Sequence, residues 1–188
     1  VFTANPIDDS TVQNVWRWHR QSGCSQLASG DVVVQATGTV DFTITRTASL
    51  EVADQPWVLP SGQHLTSHVE VPLCEPNVTI TRGTSPEGHT LSVAILLPSE
   101  PIDGPLPVLV DPYGGPHALR VIRSRRAHLS SQWFADQGFA VIVCDGRGTP
   151  GRGAQWERSV HGDLATRVLA DQVAALDIAA ERCEKQLG

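Results

Sequence analysis

The 188-residue sequence has no methionine, a single lysine and a single tyrosine. With Val1 in first place and no Met anywhere, it reads as a piece of a longer polypeptide, because an unprocessed product would begin with Met. Basic residues are the minority, 14 against 20 acidic for a net charge of -6, and thirteen of the fourteen are Arg. A nucleic-acid partner would favour a basic footprint, so that class is set aside. Long apolar runs are missing too. Phe139-Ala-Val-Ile-Val-Cys144 is among the longest, far below the roughly 20 residues of a membrane span, so no membrane partner is expected. No signal-peptide pattern opens the chain, and a piece of a longer protein leaves open what precedes it. Cysteine is sparse: Cys24, Cys74, Cys144 and Cys183 lie far apart and fit no zinc spacing. They read as buried free thiols, with no metal and a cytoplasmic location, secretion or the periplasm staying open. The sequon Asn77-Val78-Thr79 matters only in a secreted protein.

What is present is a globular composition, 40% hydrophobic and 18% charged. The length allows one large domain or two small ones, enough to bury a core. Charge is uneven: residues 1–75 carry a net -5 and residues 76–188 a net -1. The patterning changes at the same place. Residues 1–75 show short candidate strands at Val1–Ala4, Val12–Arg20, Val32–Ala36, Val40–Arg46 and Trp57–Leu59. Turn formers at Asn5-Pro6, Ser22-Gly23, Ser29-Gly30 and Ser61-Gly62 separate them. No stretch there is helical. The spacing suits a sandwich, a barrel or propeller blades. At roughly 40–45 residues per blade, one to two blades fit, too few to close a propeller.

From residue 76 an α/β rhythm takes over. Val78–Thr81 and Thr90–Leu97 are candidate strands around a Ser85-Pro-Glu-Gly88 turn, followed by an apolar strand at Pro105–Asp111. A helix is expected over Ser124–Gln137 with Gly138 as its C-cap, then a buried strand at Phe139–Cys144. The longest helix signal is Leu164–Cys183, capped by Asp163, with Leu169, Val173 and Leu176 as its apolar face. This alternation implies a parallel sheet with helices on its faces, and a further strand after the last helix.

Glycine-rich loops follow both apolar strands, where ligand chemistry gathers in α/β sheets. In Asp111-Pro-Tyr-Gly-Gly-Pro-His117, Tyr113 is placed to aim a phenol at a developing oxyanion. The alternative is a Gly-Pro turn around a packed Tyr, with His117 a plain loop residue. In Asp145-Gly-Arg-Gly-Thr-Pro-Gly-Arg-Gly153, Gly146, Gly148 and Gly151 satisfy G-x-G-x-x-G, and Asp171 lies 20 residues on. Pro150 inside the loop, Asp145 before the first glycine and a helix starting only near Asp163 count against a dinucleotide. The plainer reading is a tight turn tied down by ion pairs of Arg147 and Asp145, and no cofactor is expected. His64 and His68 could share a metal only on a helix; the surroundings look strand-like, so both read as surface residues. Arg120, Arg123, Arg125 and Arg126 could hold a phosphate, or form a solvated helix start paired with acidic neighbours.

The order and spacing of these pieces resemble the prolyl oligopeptidase family of serine peptidases, and within it the dipeptidyl-peptidase IV branch. The resemblance runs over Pro107–Leu176. It rests on Leu109-Val-Asp-Pro-Tyr-Gly-Gly-Pro-His117, Trp133-Phe-Ala-Asp-Gln-Gly-Phe-Ala-Val-Ile-Val143, Asp145–Gly153 and Asp171-Gln172-Val173. Phe2-Thr-Ala-Asn-Pro6 and Val15-Trp-Arg-Trp18 resemble the end of that family's β-propeller. The fold implied is mixed: residues 1–75 as the C-terminal part of a β-propeller, then residues 76–188 as the N-terminal part of an α/β-hydrolase fold.

The resemblance implies a serine exopeptidase cleaving after Pro or Ala near a peptide's amino terminus. Tyr113 matches the oxyanion-hole tyrosine; Gly114, Gly115 and Pro116 shape its loop, and Arg147 and Gly148 match a supporting loop. No G-x-S-x-G elbow occurs in the 188 residues. The Ser, Asp and His of the triad are therefore expected beyond Gly188, and the acidic residues gripping the substrate amino terminus upstream. Asp145 and His161 lie on the wrong side of the nucleophile to join the triad. The expected partner is a peptide substrate, with a homodimer of the intact protein open, and the chain alone is expected to be inactive. The alternatives are an acylaminoacyl peptidase or esterase on the same fold, a non-catalytic interaction protein built on it, and, most distantly, a dinucleotide binder.

Overall fold

The computed structural model describes residues 1–28, 30, 32–39, 41–51, 56–66, 68 and 75–183. The chain divides into two compact units: Val1–Leu73 with Ile122–Arg126, and Cys74–Val121 with Ala127–Gly188.

The first unit is built of strands. β1 (Phe2–Ala4), β2 (Asn14–His19) and β3 (Gly23–Ala28) form an antiparallel sheet in chain order. β4 (Val33–Gly38) and β5 (Thr43–Ala48) pair as a hairpin. Val12, Val15, Val33, Val34 and Ala48 are its buried apolar side chains. Four expected strands coincide with β1, β2, β4 and β5; Val40, the expected start of the fourth, lies outside the described residues. The fifth, Trp57–Leu59, is reduced to bridges from Val58 to Thr45 and His64. β3 was not expected. Its residues are exposed up to Leu27, so no burial imprints a period of two on its sequence. Gly23 is both turn and strand: its φ of 73° suits the reversal, and it pairs with His19.

In the second unit a four-stranded sheet runs in the order β6 (Val78–Thr84), β7 (Thr90–Leu96), β9 (Ala140–Asp145), β8 (Val108–Val110). The expectation of a parallel sheet is corrected: only β8 and β9 are parallel, and β6–β7 and β7–β9 are antiparallel. The reason is connection length. The Ser85–Gly88 turn, closed by the Gly88 N–H on the Ser85 carbonyl at 2.8 Å, is far too short for a crossover of a dozen residues. Only the link from β8 to β9 carries a helix.

Successive β9 side chains serve opposite faces of the sheet. Ile142 and Cys144 pack with Leu91, Val93, Ile95 and the Ala174, Ala175, Ile178 and Ala179 side of helix α3 (Thr166–Arg182). Val141 and Val143 pack with Ala94, Leu96, Val121 and Ala135 of helix α1 (Leu129–Ala135). Both faces are covered, which is why β9 is apolar without alternation. α1 begins later than expected. A 3-10 turn at Arg125–His128 precedes it, and the N–H groups of Arg123 and Arg125 bond to the Thr11 and Ser49 carbonyls instead of entering a helix. It also ends earlier than expected, at Ala135 with Asp136 as its C-cap; Gly138, at φ 98°, closes the turn that follows by donating its N–H to the Ala135 carbonyl at 2.8 Å.

α3 begins later than expected, at Thr166 with Ala165 rather than Asp163 in the N-cap position; the Asp163 carboxylate still accepts the Thr166 N–H at 2.8 Å. Of the expected apolar face of that helix, however, only Leu176 packs on the core. Leu169 and Val173 are 63% and 51% exposed, and the face on the sheet is Asp171, Gln172, Ala174, Ala175, Ile178 and Ala179. Small residues let the helix lie close to the sheet, and the two polar ones are consumed at the candidate site. Among the described residues no helix is long and apolar enough to cross a membrane.

Candidate active site

β8 and β9 run parallel and end side by side, so the loops that leave them are neighbours. Beyond β8, the Asp111 N–H bonds to the Ile142 carbonyl at 2.9 Å, and Tyr113 bridges to Asp145. The chain then turns through Gly114, Gly115, Pro116 and His117. The half-buried Tyr113 folds over this turn, and its hydroxyl oxygen accepts the His117 N–H at 3.1 Å. That bond occupies a lone pair, not the phenolic proton, which stays available for an outside acceptor. Gly115 is buried while Pro116 and His117 are exposed. At Gly114 a Cβ would stand 1.9 Å from a methyl of Val168, so only glycine lets the loop lie on α3 there.

The loop is pinned at both ends. The Arg120 guanidinium bonds to Asp111 at 2.6 Å, and the Ser131 hydroxyl donates to the same carboxylate oxygen at 2.9 Å. The Asp145 carboxylate accepts the backbone N–H groups of Arg120 at 3.0 Å and Val121 at 2.8 Å. Asp145 is 1% exposed. Burial pushes its carboxyl up to about 6, against the pull of those N–H groups and the Arg120 charge.

The second glycine loop is held by α3. Asp171 accepts the Arg147 backbone N–H at 2.6 Å and pairs with the Arg147 guanidinium at 2.9 Å. The same guanidinium reaches Glu87 at 2.6 Å and the Arg167 carbonyl at 3.1 Å. Donating to the Asp171 carboxylate raises the Arg147 pKa, and accepting from Arg147 lowers that of Glu87. The expected partnership of Arg147 with Asp145 is thus corrected: Arg147 pairs with Asp171 and Glu87, while Asp145 serves the Tyr113 loop. At Gly146 a Cβ would sit 2.7 Å from the Asp171 side chain, and at Gly148 (φ 90°) 2.6 Å from Val160.

The dinucleotide reading loses its donors. The Arg147 N–H is taken by Asp171, that of Gly148 by the Trp156 carbonyl and that of Thr149 by the Gly146 carbonyl. Asp171, the acid that would face a ribose, is buried against Arg147. The helix after the third glycine, α2 (Ala154–Arg158), has five residues. His64 and His68 are exposed, and among the described residues no three His, Cys, Asp or Glu side chains are grouped to hold a metal. Cys144 is buried and its thiol is pushed up by that burial, which makes it inert. Cys24 is free but exposed, contrary to expectation; Cys74 lies outside the described residues. Three of the four arginines are engaged by neighbours of the chain: Arg120 pairs with Asp111, Arg123 with Asp9, and Arg125 donates to the carbonyls of Leu50 and Glu51.

Sequence reasoning named Asp145 as a holding residue but gave it to the second loop, and it gave no holding role to Asp171, Gln172 or Glu87. Gln172 is buried, and its Nε2 donates to the carbonyls of Tyr113 at 3.2 Å and Cys144 at 3.3 Å. The available signal was polar residues on a helix face otherwise made of alanine.

Residues 126–183 match the prolyl oligopeptidase family. A probable dipeptidyl peptidase 4 of Aspergillus clavatus is 29% identical over 96% of this chain and 23% of its own length. A second, from Aspergillus flavus, is 28% identical over 95% of this chain and 23% of its own. The chain therefore spans about a quarter of these curated relatives. Among solved structures, the acylaminoacyl peptidase of Pyrococcus horikoshii superposes with a TM-score of 0.69 at 15% identity, over 93% of this chain and 28% of that one.

Proposed function

Because the chain carries a segment of the prolyl oligopeptidase family, we propose that the intact protein is a serine peptidase releasing dipeptides after Pro or Ala. In this reading residues 1–75 are the end of a β-propeller and residues 76–188 the start of an α/β-hydrolase domain. The supporting observation is the Tyr113 hydroxyl, held by the His117 N–H with its own proton left to donate, at the carboxyl end of a parallel strand. A seryl oxygen supplied from outside these residues attacks the scissile carbonyl, passing its proton to a histidine. The carbonyl oxygen takes up the charge, and Tyr113 donates to it. The histidine then protonates the leaving amine, and water releases the acyl group. Gly114, Gly115 and Pro116 set the loop, while Arg147 and Gly148 hold the neighbouring one. The names of the curated relatives support the dipeptidyl specificity.

Tyr113→Phe in the intact protein removes the donor and little volume. Its kcat on a proline-dipeptide chromogenic substrate is expected to fall about 10²–10³-fold with an unchanged melting temperature; near-normal turnover would refute the role. The 188-residue chain by itself lacks an elbow serine and is expected to show no turnover of the same substrate. Activity blocked by a serine-directed inhibitor would overturn that.

A further inference from the structure

We propose that Gln172 is the positioning residue of Tyr113, holding the tyrosine's own carbonyl so that its hydroxyl stays aimed at the oxyanion. This rests on the oxyanion reading of Tyr113. The geometry is specific. Gln172 lies on α3 one turn beyond Val168, the residue on which Gly114 rests, so one helix face touches the loop at two consecutive residues. Its Nε2 forks between the carbonyl of Tyr113, at 3.2 Å, and that of Cys144, at 3.3 Å. Tyr113 lies three residues past β8 and Cys144 next to the last residue of β9, so the amide ties the start of the Tyr113 loop to the end of β9. Its neighbour Asp171 takes the Arg147 N–H of the other glycine loop. Two consecutive residues of one helix thus hold both loops.

The side chain is 6% exposed, and its Oε1 has no hydrogen-bond partner among the described residues. A buried acceptor left without a bond destabilises the folded state. An apolar side chain of equal length would fill the space without that cost. What the amide adds is the pair of N–H bonds to the two carbonyls. Near the reacting atoms, a displacement of about 1 Å costs on the order of 10²-fold in rate, so a hold on the tyrosine backbone acts on turnover.

The test is a double-mutant cycle in the intact protein. Gln172→Met keeps length and apolar volume and removes both bonds. Alone it should lower kcat roughly 10- to 100-fold and leave KM within about twofold. On the Tyr113→Phe background it should cost little more, because the two residues act as one unit. Full additivity, or unchanged kcat in Gln172→Met, overturns the proposal while the oxyanion role stands. Normal turnover in Tyr113→Phe alone refutes the oxyanion role itself. Gln172→Glu is the second variant and decides the matter if Gln172→Met does not fold. Its protonated carboxyl can donate to a carbonyl, and its carboxylate cannot, so its kcat relative to wild type should fall as pH rises. Asp145, Asp171, Arg147 and the Cys144 thiol, titratable and charged groups on the elements that Gln172 joins, are common to variant and wild type, so the ratio isolates residue 172. A ratio flat with pH overturns the proposal.

Discussion

Asp171 decides how the second glycine loop is built. Its carboxylate is 1% exposed and fully engaged by Arg147, through the backbone N–H and the guanidinium. A buried pair of this kind contributes little net stability, yet removing one partner leaves an uncompensated charge. The glycines around it are set by contact. Gly114 has no left-handed conformation to explain it; the constraint is Val168, whose methyl would lie 1.9 Å and whose Cβ 2.9 Å from an added Cβ. A β-branched side chain in a helix has almost no freedom to turn away. Gly114→Ala is therefore expected to destabilise the protein by about 1–3 kcal/mol. Adding Val168→Ala should recover part of that loss, since the closest contact disappears and the one at 2.9 Å remains. The two urea midpoints measure the recovery; a double variant worse than Gly114→Ala would place the strain elsewhere.

Among the elements, legibility followed the physics of burial. β9, Ala140–Asp145, is buried at every residue and was plain in Phe139–Cys144. The turn at Gly138 was plain as well, because a positive φ leaves few residue choices, although the helix before it stops at Ala135. β3 was silent because it is exposed and so carries no imprint. The α3 face was misread for a related reason. Leu169 and Val173 stand out in the sequence, but the packed face uses alanines and two polar residues that bond to neighbouring backbone. The Tyr113 loop could be located from its Gly-Gly-Pro pattern after an apolar strand. The residues that hold it, Asp145 and Gln172, lie 25 and 59 residues from the groups they bond, and their partners are backbone groups. Nothing in a local pattern reports which backbone group a distant side chain will meet.

At the scale of the whole molecule, the acidic composition does not mean uniform loss of stability in acid. Asp136 is lowered: burial raises it, but the Ser99 N–H and the Gln132 amide outweigh that. Asp163 is lowered by the Thr166 N–H and Glu87 by Arg147. Each of these contributes stability above its unfolded pKa that is lost as pH falls through its folded one. Asp145 runs the other way. Its folded pKa is about 6, against 3.8 for an ordinary aspartate, so between these values the folded state holds a proton that the unfolded chain does not. Its contribution is complete below about 4 and is lost as pH rises to about 6. The span corresponds to about 3 kcal/mol. Asp145→Asn cannot titrate, so the difference in unfolding free energy, wild type minus variant, should grow in favour of wild type as pH is lowered from 7 to 4, while the other carboxylates cancel. Urea unfolding at half-unit steps measures it. A difference flat across this range, or one growing towards neutral pH, would mean that the N–H groups of Arg120 and Val121 hold Asp145 as an ordinary carboxylate despite its burial.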